Sequence, residues 1–125
     1  MMGKERGASA VEFAIILLPL AVLIFAIFEF GLIFNNWIAL NYAAREGVRL
    51  AAIDYGDEEV INAEIRKEAP SVEIDNITWE GLNGEVGTPV TVTVEGRAIN
   101  IYVPFLPQNP IPLTSSATLR IENKQ

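Results

Sequence analysis

The side chains that most often carry out chemistry are scarce in this chain of 125 residues. It has no cysteine and no histidine, which excludes thiolate nucleophiles, serine–histidine catalysis and the usual zinc ligands. Carboxylates remain, and the densest group is Asp54, Asp57, Glu58 and Glu59. They lack the alternating spacing of an EF-hand loop, and helix capping accounts for them. We therefore expect no enzymatic activity, no metal, no cofactor and no small-molecule substrate.

The net charge of -7 also limits the partners of the chain. Nucleic-acid binding requires a basic face, and the sequence has no basic cluster larger than the pair Lys4 and Arg6. We expect no nucleic-acid partner.

A long apolar segment, residues 13–34, contains a single charged residue, Glu29. About 20 apolar residues in a helix cross a bilayer, so the segment is predicted to span a membrane and to remain as an anchor. Lys4 and Arg6 precede it and favour a cytoplasmic N-terminus. Arg45 and Arg49 lie beyond the span and argue the other way, so charge alone supports this orientation only in part.

The helix is predicted to continue past the membrane and to cover residues 8–55. Steps of four and three residues define a heptad-like stripe beyond the apolar run: Phe30, Phe34, Trp37, Asn41, Ala44, Val48, Ala51 and Tyr55. A second row has small side chains every four residues, which lets a helix or sheet approach closely: Ala39, Ala43, Gly47 and Ala51. Packing within the domain and contact between subunits both explain these rows.

Residues 56–125 are predicted to form a small α+β domain outside the cytoplasm. Gly56 suits a C-terminal cap and Asp57 an N-cap, and a short amphipathic helix follows up to about Ala69. After Pro70 the pattern alternates as in β-strands, around Val72–Trp79, Val90–Val94 and Leu113–Glu122. Two further elements complete the predicted domain: a strand that continues through Ile99, Ile101 and Val103 past a bulge or turn at Gly96, and a proline-rich loop over Pro104–Pro112.

Gly7 stands five residues before Glu12, and Phe13 then opens the apolar segment. A glycine, four residues, a glutamate and a hydrophobic helix resemble the recognition pattern of type IV prepilins. Glycine leaves a scissile bond unhindered, so cleavage after Gly7 would make Ala8 the new N-terminus and residues 1–7 a leader. The carboxylate of Glu12 would then need a partner in apolar packing, such as the α-amino group of a neighbour. The other interpretation is an uncleaved signal-anchor.

Three stretches together resemble TadE-like proteins, the minor pilins or pseudopilins of the tight-adherence (Tad, or Flp) pilus: RGASAVEFAIILLPLAVLIFAIFEFG, ALNYAAREGVRLAA and, more loosely, residues 88–122. The resemblance implies cleavage by a prepilin peptidase, residence in the cytoplasmic membrane, and contacts with other pilins and the pilus assembly platform.

The resemblance also suggests that Arg45 and Glu46 position the domain or a partner, whereas a surface salt bridge of Glu46 with Arg49 is the simpler explanation. Glu29 either reaches the outer headgroups or pairs with another helix. A membrane-tethered binding module and a larger major pilin are the alternatives.

Overall fold

The computed structural model describes residues 2–98 and 109–122. A long helix is followed by a short helix and three strands, which confirms the predicted α+β class with an antiparallel sheet. The elements are α1 (Met2–Ala52), α2 (Glu58–Glu68), β1 (Val72–Glu80), β2 (Pro89–Ala98) and β3 (Pro112–Arg120).

Helix α1 ends three residues earlier than predicted, and a residue other than glycine caps it. Asp54 adopts the left-handed conformation, with φ of 54°. The amide of Tyr55 donates to the carbonyl of Leu50 over 3.1 Å, and that of Asp54 to the carbonyl of Ala51 over 3.3 Å. These two bonds form a Schellman motif, which satisfies the last carbonyls of the helix. The prediction of Gly56 as the cap is therefore wrong, since aspartate tolerates this conformation better than most residues.

Helix α2 begins and ends close to its predicted limits. Asp57 occupies the N-cap with an extended backbone, as predicted, but its side chain makes no capping hydrogen bond. Ile61 and Ile65 are buried, whereas Val60 is exposed on the other side. The one apolar stripe of this helix therefore faces α1 and the sheet.

The sheet has the order β1-β2-β3, with both pairs antiparallel. Its irregularity lies in β1, where the register shifts between Ile74 and Asn76. Gly96 lies within β2, so no turn interrupts the strand there. The register shift of β1 falls opposite Gly96 and Glu95, so the irregularity predicted at this glycine is a bulge on the neighbouring strand. A Cβ at Gly96 would lie 2.7 Å from the carbonyl oxygen of Glu73, which shows that glycine permits a close approach of the two strands. The continuation through Ile99, Ile101 and Val103 lies outside the described residues, as does residue range 104–108 of the proline-rich loop.

The core lies between the C-terminal half of α1 and one face of the sheet. The alternation of β2 buries Val90, Val92 and Val94 completely, and each fully buried valine contributes about 1.5–3 kcal/mol through apolar burial. The helix supplies buried residues with mostly small side chains, which lets the sheet approach its backbone: Leu40, Ala43, Ala44, Val48 and Ala51.

Candidate functional site

The N-terminal half of α1 presents large apolar side chains on all sides. Phe13 is 65% exposed and Phe30 is 71% exposed, although solvent exposure of so many large apolar groups is unfavourable in water. Within the described part of the chain, one helix is long and apolar enough to cross a membrane. This surface is the first component of the candidate site, and it is a candidate membrane span. Pro19 lies inside it.

The predicted cleavage residues lie near the start of the same helix. Gly7 and Ala8 are exposed, and a Cβ added at Gly7 would meet no atom within 4 Å. Glu12 and Phe13 are also exposed, and five residues place Glu12 about 7.5 Å beyond Gly7 along the axis. The peptide predicted to be cleaved therefore has open space around it, while the Gly7–Ala8 segment is helical.

Glu29 is the single charge in the apolar surface, and it is only partly exposed. Its Oε2 atom is buried and has no hydrogen-bond partner. A carboxylate oxygen without a partner is costly in apolar surroundings. Glu29 is thus a site where a second molecule could supply the missing donor.

The row of small residues lies against the domain of its own chain. Ala43, Gly47 and Ala51 are buried, and Ala39 packs against the core while still partly exposed. A Cβ added at Gly47 would lie 2.4 Å from Cδ1 of Ile65. Glycine at this position therefore lets α2 approach α1 closely, and the row packs α1 against the domain.

Arg45, Glu46 and Arg49 lie on the side of α1 that carries exposed charges. Arg49 donates two hydrogen bonds to Glu46, Nε to Oε2 over 2.9 Å and Nη2 to Oε1 over 2.5 Å. The hydrogen bonds from Arg49 lower the pKa of Glu46, and those to Glu46 raise the pKa of Arg49. The salt bridge expected from their spacing is present, and because both partners are exposed its contribution to stability is small.

Arg45 is exposed and borders two grooves. Among the described residues no carboxylate lies within 4.0 Å of its guanidinium nitrogens. One groove, of about 210 Å³, is lined by residues of α1: Trp37, Ile38, Asn41, Tyr42 and Arg45. The other lies between α1 and the edge strand β3 and is lined by Arg45, Val48, Arg49 and residues 116–119.

Polar contacts across the helix–domain interface are absent from the sequence-based prediction. Across this interface, Ser115 Oγ donates to Asn41 Oδ1 over 2.6 Å. Within the domain, Trp79 Nε1 of β1 donates to Asn62 Oδ1 of α2 over 2.8 Å, a bond that the sequence also did not predict. Asn41 is the one strongly polar residue of the predicted stripe. A polar residue in an apolar stripe could have indicated a hydrogen-bond partner in the domain. In residues 2–98 and 109–122, no three acidic side chains come together in a way that could hold a metal ion.

These features define a class of protein: a helix with an apolar N-terminal half that carries a small α+β domain on its C-terminal half. The family model described as TadE-like protein matches residues 7–49. The match confirms the resemblance to TadE-like proteins predicted from the sequence, and it is consistent with a protein of a Tad-type pilus. It covers most of α1, including Gly7, Glu12 and Glu29, and stops before the domain. No curated protein and no solved structure shows a significant match.

Proposed function

We propose that the chain is a minor pilin or pseudopilin of a Tad-type pilus, in which α1 first anchors the subunit and then packs against other pilin helices. One observation carries the proposal: α1 buries its C-terminal half in its own domain and leaves its N-terminal half apolar and exposed. Such a surface needs lipid or other helices to cover it.

Processing by a prepilin peptidase after Gly7 is the first step of this function. The open space around Gly7 leaves room for a peptidase. Glycine also weakens a helix by about 1 kcal/mol relative to alanine, which favours local unwinding near the end of α1. Cleavage removes residues 1–7 and gives Ala8 a free α-amino group.

Glu12 supports assembly after cleavage. Its carboxylate lies among apolar side chains at the start of the span, where an unpaired charge is costly. The α-amino group of Ala8 in a neighbouring subunit would supply the opposite charge. This pairing would favour one register between adjacent helices, and it requires the leader to be absent.

Orientation follows from the basic residues around the span. Lys4 and Arg6 lie on the N-terminal side and favour the cytoplasm for that end. Arg45 and Arg49 belong to the helix segment that forms part of the folded domain, and long domains cross the membrane largely regardless of charge. The domain would therefore lie outside the cytoplasmic membrane.

Mass spectrometry of the intact protein from native cells tests the processing step. The expected mature protein begins at Ala8, and Gly7→Leu should leave the full precursor in the membrane because the larger side chain obstructs the peptidase. Gly31→Leu is a matched control, since it also lies in α1 with open space around it, and it should be cleaved normally. Protein that begins at Met1 or Met2 in native cells would contradict the proposal and favour the membrane-tethered binding module.

A further inference from the structure

Glu29 and Arg45 are opposite charges of α1, and neither has a partner of opposite charge among the described residues. The Oε2 atom of Glu29 is buried without a hydrogen bond, and the guanidinium of Arg45 is at a distance from every described carboxylate. The two residues are 16 positions apart on one helix, which separates them by about 24 Å along the axis. They cannot reach each other within one molecule.

The side of α1 that carries Glu29 can face the side that carries Arg45 in a second copy. Sixteen residues correspond to a net rotation of about 160°, so the two side chains lie on nearly opposite sides of α1. When two parallel copies lie side by side in the same orientation, one side of the first faces the opposite side of the second. Such a head-to-tail contact brings Glu29 of one copy to Arg45 of the other when the second copy is displaced by about 24 Å.

The domain leaves room for this displacement. It packs on the side of α1 that contains Gly47, and Gly47 follows Glu29 by 18 residues, a rotation of about 0°. The domain of the first copy therefore lies directly beyond its own Glu29. In the displaced copy, Arg45 faces the first copy. The domain of the displaced copy lies on the other side of its α1, away from the first copy.

The length of the helix segment that the domain covers matches the same offset. Asn36 is the first buried residue of α1 among those whose side chains are described, and the helix ends at Ala52. These positions are again 16 residues apart. In the displaced arrangement, α1 of the lower copy would end at the level where the domain of the upper copy begins.

We infer that Glu29 of one copy forms an ion pair with Arg45 of a second copy displaced by about 24 Å along parallel α1 helices, a different neighbour from the one whose Ala8 amino group meets Glu12. The inference rests on the proposed pilin function. The same offset places Val22 opposite Ile38 on the same line of contact, so two exposed apolar side chains meet, and Ile38 lines the 210 Å³ groove with Arg45. In a flat membrane the copies have no axial offset, so the contact forms only on assembly.

Disulfide cross-linking measures this register directly, because the chain has no cysteine of its own. The variant Val22→Cys/Ile38→Cys retains both charges and places cysteines at the inferred contact. Within one chain these positions are about 24 Å apart, far beyond the roughly 7 Å limit between the Cα atoms of a disulfide. Oxidation should therefore produce a ladder of multimers of this chain in the assembled fraction.

Two controls fix the interpretation of the ladder. Val22→Cys/Tyr42→Cys moves one cysteine by one turn, about 6 Å along the axis, and should lose the cross-links. Adding Gly7→Leu to the first variant keeps the protein in the membrane and should also abolish them. A ladder of equal strength in either control would overturn the inference, as would cross-links only to a different pilin.

A charge exchange tests the ion pair itself. Glu29→Arg should stop co-purification with other copies, and Glu29→Arg/Arg45→Glu should restore it. A protein that is cleaved to Ala8 and co-purifies with pilins, yet gives no ladder and no rescue, would refute this contact and leave the proposed function standing. A precursor that is never cleaved would instead refute the proposed function.

Discussion

Ser115 of β3 donates a hydrogen bond from Oγ to Oδ1 of Asn41 in α1 over 2.6 Å. Asn41 in turn donates from Nδ2 to the carbonyl of Trp37 over 2.9 Å. Trp37 is exposed, whereas Leu40 and Ala43 on either side of Asn41 are fully buried. The bond therefore joins the sheet to the helix where the exposed apolar half of α1 gives way to the buried half.

Removing this hydrogen bond should destabilise the domain. Ser115→Ala leaves the partly buried Oδ1 of Asn41 without its donor, and an unsatisfied group of this kind costs about 1–3 kcal/mol. The free energy of unfolding, measured by chemical denaturation of the full chain in detergent, should fall by that amount. Ser116→Ala on the opposite, exposed face should change it by less than about 0.5 kcal/mol. Equal effects of the two substitutions would show that the bond to Asn41 contributes nothing specific.

Gly47 should tolerate no large side chain. Leucine at this position would occupy the space of Ile65, whose Cδ1 atom lies 2.4 Å from an added Cβ, and forced overpacking of a core costs about 1–3 kcal/mol. We expect Gly47→Leu to lower the thermal unfolding temperature of the full chain in detergent. Gly31→Leu, where no atom lies within 4 Å, should leave that temperature nearly unchanged. A stable Gly47→Leu protein would show that α2 does not pack this closely on α1.

The salt bridge of Glu46 and Arg49 predicts a dependence on pH. Hydrogen bonds from Arg49 lower the pKa of Glu46 below its usual 4.5, so the folded state favours the charged form. This stabilisation is present above the ordinary carboxyl pKa and is lost as the pH falls through the lowered value. The difference in unfolding temperature between the wild type and Glu46→Gln should therefore be small but measurable at pH 7 and should vanish in acid. In a protein that also carries Arg49→Gln, Glu46→Gln should no longer change the unfolding temperature at pH 7. If wild type and Glu46→Gln still differ in acid, the salt bridge is not the cause of their difference.

The alternating pattern of the strands could be predicted because one face of the sheet is buried. Val90, Val92 and Val94 alternate with polar residues, and β2 buries these three valines as expected. The bulge or turn predicted at Gly96 is a register shift of β1 opposite this glycine. Glycine in a strand can mark a bulge or let another backbone approach closely, and the sequence did not show that the extra residue, Asp75, lies on the neighbouring strand.

Periodicity predicted the length of α1 better than it predicted which residues are covered. The stripe from Phe30 to Tyr55 has uniform spacing, yet Ala44, Val48 and Ala51 are buried while Phe30, Phe34 and Tyr55 are exposed. A helix pattern shows which side is apolar, but it does not show where along the helix a domain begins. The choice of Asp54 over Gly56 as the cap was similarly hidden, because glycine is the usual residue at that position.

The candidate site could be predicted where a residue differs in chemical type from the sequence around it. Glu12 and Glu29 are charges in apolar sequence, and Gly7 is set at a fixed spacing before Glu12. The relation of Glu29 to Arg45 could not be predicted, because it depends on which side of α1 the domain covers. That information came only from the packing of Ile65 against Gly47.

Co-purification of Glu12 variants with pilin partners tests the central claim most directly. An anchor needs only hydrophobic length, so Glu12→Ala and Glu12→Gln should be made, inserted and cleaved to begin at Ala8. Because glutamine keeps the shape and loses the charge, both variants should lose co-purification and reduce piliation if Glu12 meets the α-amino group of a neighbour. Glu12→Asp keeps the charge and should retain part of the assembly. Normal co-purification and piliation of both neutral variants would contradict assembly through this charge.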